Sequence, residues 1–332
     1  MKTIVFFNNK GGVGKTTLLC NLAGYLALEK HAKVLVIDAD PQCNATQSMF
    51  SDVTLSSLYE KKSFTIDSVV KPLSLGKGFT SDFQPLRSPS FGTDVLPGDP
   101  RLALTEDLLA TDWGQATSGS VRGLRTTLLF RHLLEFARGY DYVFFDVGPS
   151  LGAINRSVLL AADYFLTPMS TDIFSLRALE NISLSLQKWR KQFTASVGSI
   201  SEDEVSEVGV NDLAWRLRFI GYVTQQYTAK RDAAGEPRAV RAFEQIHKKV
   251  PTAVAKELVA PLQPDYASID YALGTIPTLH SLIPLSQTSR RPIFALRAAD
   301  GVVGAHFAKV TEYRKTIGAI AARLLSNIKA FE

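Results

Sequence analysis

Residues Asn8-Asn9-Lys10-Gly11-Gly12-Val13-Gly14-Lys15-Thr16-Thr17 follow directly on the apolar run Ile4-Val5-Phe6-Phe7. Glycines at this density let successive backbone N–H groups turn toward one anion, and a helix that starts here adds its positive end. The Lys15 ammonium can then reach the β- and γ-phosphates of a nucleotide, and the Thr16 hydroxyl can hold Mg²⁺. The spacing G-x-x-x-x-G-K-[ST] asks for glycine at position 9, where this chain has Asn9, with a second lysine, Lys10, at the head of the loop. The predicted chemistry is phosphate binding by Gly11, Gly12, Val13, Gly14, Lys15, Thr16 and Thr17.

Carboxylates complete such a site. The segments Asp38-Ala39-Asp40-Pro41-Gln42 and Asp146-Val147-Gly148-Pro149-Ser150 each close an apolar run. In a parallel sheet, ligands sit beyond the carboxyl ends of the strands. Asp38, Asp40 and Asp146 therefore gather where the loop at 8–17 delivers its phosphates. Asp146, after Tyr142-Val-Phe-Phe, is the expected second Mg²⁺ handle. Asp38 is expected to support the Mg²⁺ shell or the loop, and Asp40 to orient or activate the attacking water. Gln42 and Thr46 lie in the same turn.

The elements that must position these groups alternate strand and helix. That order predicts an α/β fold: a doubly wound, mostly parallel sheet with helices on both faces. Strands are predicted at 4–8, 34–38, 94–96, 142–146, 164–167, 219–224 and 273–276. Helices are predicted at 16–29, 124–138, 175–193, 238–249 and 306–329. The helix at 16–29 carries Leu18, Leu19, Leu22, Tyr25 and Leu26 on one face. One domain over 1–332 is expected, with elaborated loops near 71–123 and 196–212.

Composition narrows the class. Hydrophobic residues make up 45% and charged residues 21% of the 332, as in an ordinary globular chain. No apolar run approaches the roughly 20 residues that span a bilayer. The chain enters a strand at once, without a leader pattern, so a cytoplasmic protein is expected. Cys20 and Cys43 offer neither a disulfide framework nor metal spacing, and His132, His247 and His306 show no ligand spacing. From Pro277 to the end there are eight Lys/Arg against three Asp/Glu, and from Ala229 to Val250 six against three. A basic C-terminal third favours an anionic partner, either nucleic acid or a membrane surface.

These segments resemble the ParA/MinD superfamily of deviant-Walker P-loop ATPases, the ParA branch most closely. The resemblance runs through Lys10–Thr17, Asn21-Leu-Ala, 36–46, 140–152 and 161–168, with weaker echoes at 221–224 and 275–277. It implies ATP and Mg²⁺ as cofactors and slow ATP hydrolysis, with Lys10, Lys15 and Asp40 as the catalytic set. It also implies that Lys10 reaches a partner subunit's phosphates, making an ATP sandwich homodimer, and that adenine contacts come from Gln225 and the segment after Pro277.

Members of this branch bind double-stranded DNA without sequence preference and respond to a ParB-like activating protein. For this chain the resemblance implies DNA partition or cargo positioning, and association with the nucleoid. Candidate phosphate-contacting residues are Lys230, Arg231, Arg290, Arg291, Arg297, Lys309, Arg314 and Lys315. Two other roles fit the same fold: a membrane-associated positioning factor, and a regulatory ATPase of a metabolic or defence system. The helix at 306–329 alternates Val310, Tyr313, Ile317, Ile320, Leu324, Leu325 and Ile328 with Lys and Arg. Its breadth points to a core helix covering the sheet before a membrane anchor.

Overall fold

The computed structural model describes residues 1–61, 63–225, 238–279 and 281–332, and only the backbone of 238–243. Its strands are β1 (Lys2–Phe6), β2 (Val34–Ala39), β3 (Leu86–Ser88), β4 (Thr93–Leu96), β5 (Tyr142–Val147), β6 (Tyr164–Ser170), β7 (Arg218–Gln225) and β8 (Ala272–Ile276). They form one sheet in the order β3-β4-β2-β5-β1-β6-β7-β8. Every neighbouring pair is parallel except β3–β4. The doubly wound sheet expected from the sequence is present. β1, β2 and β5 are buried along nearly their whole length, the pattern of parallel strands covered on both faces.

The helices are α1 (Lys15–Lys30), α2 (Asn44–Met49), α3 (Asp52–Glu60), α4 (Ile66–Ser74), α5 (Glu106–Ala116), α6 (Val121–Thr127), α7 (Leu129–Leu133), α8 (Ala153–Ala161), α9 (Ile173–Gly198), α10 (Glu202–Val208), α11 (Arg238–Val254), α12 (Ala260–Leu262), α13 (Leu282–Ser289) and α14 (His306–Ala330). α1 buries Leu18, Leu19, Leu22 and Leu26 against the sheet, as its spacing requires. α14 buries Val310, Tyr313, Ile317, Ile320, Ala321, Leu324 and Ile328 and packs on β7, β8 and α1. Its apolar stripe is therefore spent inside the protein, while Lys309, Arg314 and Lys315 face outward. Among the described residues, no helix is long and apolar enough to cross a membrane.

The stretches near 71–123 and 196–212, expected to be elaborated loops, carry regular structure beyond the strand predicted at 94–96. The segment 71–100 contains the end of α4, β3 and β4, with β3 an unpredicted antiparallel edge strand. The segment 111–123 holds the end of α5 and the start of α6, and 196–212 holds α10. α10 begins with a capping box in which the Glu204 carboxylate accepts from the Ser201 N–H at 2.8 Å. The helix predicted at 124–138 is broken into α6, α7 and a 3₁₀ turn at Leu134–Ala137.

Candidate functional site

The loop between β1 and α1 forms the floor of a cavity of about 550 Å³, lined by residues 11–17, Asp40, Gln42 and Pro149. Gly12 and Gly14 adopt φ of +72° and +71°, the left-handed region that favours glycine. Gly14 has a second reason to lack a side chain. A Cβ there would lie 1.9 Å from Nε2 of Gln225. No side chain caps α1, and its first turn has no acidic residue. Its free N–H groups and positive end thus face the cavity, ready for an anion. Asn8 pins the loop from behind: its Nδ2 donates to the Pro168 carbonyl at 2.8 Å, and its Oδ1 accepts from the Lys10 N–H at 2.9 Å.

Lys15 is buried, and its Nζ lies 3.4 Å from the Lys10 carbonyl. Burial lowers its pKa, opposed by the charges of Asp146 and Asp40. The Thr16 hydroxyl donates to Oδ2 of Asp146 at 2.7 Å, while Oδ1 of Asp146 is buried with no hydrogen-bond partner. A hydroxyl, a carboxylate and an orphaned acceptor beside a phosphate cradle fit Mg²⁺, which takes one or two protein ligands plus phosphate oxygens and water. Asp40 lines the cavity from the end of β2, and its Oδ1 accepts from the Gln42 N–H at 3.0 Å.

Of the two parts expected for Asp38, support of the Mg²⁺ shell or of the loop, its hydrogen bonds serve the loop. It is fully buried and pairs in register with Asp146 across β2 and β5. Its Oδ2 accepts from the Thr46 N–H at 2.8 Å and the Thr46 hydroxyl at 2.6 Å, and its Oδ1 from the Asp40 N–H at 3.3 Å. Asp38 therefore braces the turn that carries Asp40.

Burial pushes the Asp38 carboxyl up to about 6, against the downward pull of Thr46, with the Asp40 charge adding to the rise. Asp146 is also raised, by burial and then by the Asp38 charge. A carboxyl raised in the fold binds a proton that the unfolded chain has released, so its contribution is full at low pH and is lost as pH climbs through about 6. We therefore expect Asp38→Asn to gain stability relative to the parent as pH rises from 4 to 7.5, by at most about 3 kcal/mol. Urea melts of both proteins without divalent cation measure this. A parent-to-variant difference that does not change with pH contradicts the assignment.

The Lys10 ammonium pairs with the Asp172 carboxylate at the start of α9. Both side chains keep about a third of their surface exposed (31% and 37%). Burial alone would raise the Asp172 carboxyl, but the Lys10 hydrogen bond and the Ser175 amide hold it below its usual value. Gln225 and Pro277 line an adjoining cavity of about 330 Å³ that shares Gly12, Gly14 and Thr17 with the first. Nε2 of Gln225 donates to the Val13 carbonyl at 2.8 Å.

The basic candidates separate into groups. Lys230 and Arg231 lie outside the described residues. Arg297 is exposed, as are Lys309, Arg314 and Lys315 on α14, where Arg314 pairs with Glu29. Arg291 is half-buried beside Asp300, 3.2 Å away. Arg290, just past α13, lines the phosphate cavity and is no part of the α14 surface. Asp172, Asn8 and the pocket position of Arg290 were missed by sequence reasoning. Only Asp172 carries a local signal, the Asp-x-x-Ser pattern of a helix N-cap.

Comparison with known proteins agrees with this fold. The AAA domain family model matches residues 1–198. The chromosome-partitioning ATPase Soj of Treponema pallidum is 32% identical over 187 residues, 56% of this chain and 62% of that protein's own length. The crystal structure of protein DIP2308 from Corynebacterium diphtheriae superposes with a TM-score of 0.75 at 31% identity, covering 100% of both chains. Cobyrinic acid a,c-diamide synthase from Mycobacterium smegmatis, solved with bound ADP and magnesium, shares the fold with a TM-score of 0.52 at 21% identity, over 76% of this chain and 82% of that one. With its glycine-rich loop, its second lysine and its strand-end carboxylates on one sheet edge, this chain belongs to the ParA/MinD-type P-loop ATPases.

Proposed function

We propose that this chain is an ATP-driven switch. It binds Mg²⁺–ATP in the cavity above β1, forms a homodimer around two nucleotides, and holds duplex DNA without sequence preference until hydrolysis releases it. The observation that carries the reading is Lys10 at the head of the phosphate loop, its ammonium paired with the part-exposed carboxylate of Asp172. In this reading Lys15 and the α1 amides bind the β- and γ-phosphates, and Thr16 and Asp146 hold Mg²⁺, which would neutralise charge developing on the phosphates. Asp40 orients the attacking water. Gln225 and the segment after Pro277 bound the adenine side. Slow turnover and a ParB-like activating protein suit a role in DNA partition or cargo positioning, as does the likeness to a chromosome-partitioning ATPase.

A ligand moves a monomer–dimer equilibrium only by binding one state better. A lysine reaching across the interface supplies that difference, because it meets the γ-phosphate only in the dimer. Hydrolysis removes its partner charge. DNA would then be held by Arg297, Lys309, Arg314 and Lys315 from both subunits, and such contacts release counterions. We expect ATP to induce binding to duplexes of unrelated sequence, with log Kd rising against log salt by roughly three or more. Fluorescence anisotropy over a salt series measures this. DNA affinity that is indifferent to ATP, or to salt, contradicts the DNA part of the reading.

A further inference from the structure

Arg290 stands out on three independent grounds. It is the residue just past α13 and has φ of +49° and ψ of +48°, a conformation that L side chains rarely adopt. The position closes the helix, with the Arg291 N–H donating to the Ser286 carbonyl at 3.2 Å, and is one where glycine is the usual occupant. An arginine here carries a backbone cost that a glycine would not. Second, it lines the phosphate cavity, where it and Lys15 are the cationic residues of the lining. Third, among the described residues its guanidinium is held by Asp52, Nη2 to Oδ1 at 2.7 Å, and that carboxylate is 88% exposed.

The placement is built in. Asn21 of α1 accepts from the Ile293 N–H at 2.8 Å and donates to the Thr17 carbonyl at 2.9 Å. The segment carrying Arg290 is thereby tied to the helix that carries the phosphate loop. This segment lies beyond residues 1–198, which the family model matches.

We propose that Arg290 is a phosphate-contacting residue of the nucleotide site. With a polyanion in the cavity, the guanidinium leaves the solvent-exposed Asp52 and takes phosphate oxygens, because an exposed ion pair is weak and a guanidinium–phosphate pair is strong. The proposal rests on the ATP-binding reading above. It also gives the cost at φ +49° a purpose.

The test is the affinity of the full chain for ATP and for adenosine, measured by titration calorimetry with Mg²⁺. Arg290→Gly keeps the helix end and suits its backbone, so its melting temperature stays at or above the parent's. We expect it to lose about tenfold or more in ATP affinity while adenosine binding is unchanged. Asp52→Asn, which only frees the arginine, keeps the parent's ATP affinity or improves it. Unchanged ATP affinity in Arg290→Gly overturns the proposal. So does an equal loss for adenosine, or the same loss in Asp52→Asn, which would mark a structural clip. A parent chain that binds no ATP overturns the underlying reading as well, so the two failures are distinguishable.

Discussion

Gly14→Ala is expected to abolish useful nucleotide binding, lowering ATP affinity by about 100-fold or more. Two costs fall on one methyl group. The backbone at φ +71° is one that alanine adopts only at about 1–2 kcal/mol. The methyl also lands 1.9 Å from Nε2 of Gln225, which is itself bonded to the Val13 carbonyl at 2.8 Å. Relieving that overlap means breaking this bond and shifting the loop whose amides cradle the phosphates, and a misplacement on the order of 1 Å costs about 100-fold at a preorganised site. Gly12→Ala is the control. Its φ is +72°, but nothing lies within 4 Å of a Cβ there. It should show the conformational cost alone, about tenfold. Calorimetry on the two variants separates close approach from backbone strain. Equal losses in both would mean that contact with Gln225 is unimportant.

The sheet and the floor of the site were legible because their signals are local. Apolar runs ending in Asp38 and Asp146 announce buried parallel strands, and the register pairing of these two aspartates follows from the adjacency of β2 and β5. The phosphate loop is contiguous in sequence, so its glycines, Lys15 and Thr16 could be placed without any tertiary information. For Asp38 the sequence left two roles open, the Mg²⁺ shell or the loop. Its two hydrogen bonds from Thr46, eight residues on, depend on how the turn folds back.

What stayed hidden depends on distant partners. Arg290 is one basic residue among eight in the last stretch, and its pocket position follows from Asn21 gripping the backbone at Ile293 across 272 residues. The helices α5 and α6 contain Gly114, Gly123 and three threonines, Thr111, Thr126 and Thr127. They are held by packing on each other, on α7 and on α8, so local propensity undersells them. α10 was the avoidable miss, since Ser201-x-x-Glu204 is a capping-box signature open to anyone reading the sequence. β3 is three residues long and exists only as an antiparallel edge on β4.

The second large effect concerns Lys10. Its pair with Asp172 has both side chains about a third exposed, so solvent screens it and it stabilises the single subunit by roughly 0–1 kcal/mol. A triphosphate offered by a second subunit is a far stronger partner for the same ammonium. Lys10→Ala should therefore leave ATP binding to one subunit nearly intact, since Lys15 and the α1 amides remain. It should remove the differential that makes the dimer, and ATP-dependent DNA binding should fall with it.

The most direct measurement is the solution mass of the parent and of Lys10→Ala by light scattering, each with Mg²⁺–ATP and Asp40→Ala to arrest hydrolysis. The account predicts twice the 36.4 kDa subunit mass for the first and the single subunit mass for the second, with ATP bound to both. A Lys10→Ala protein that doubles its mass with ATP as readily as the parent would contradict it.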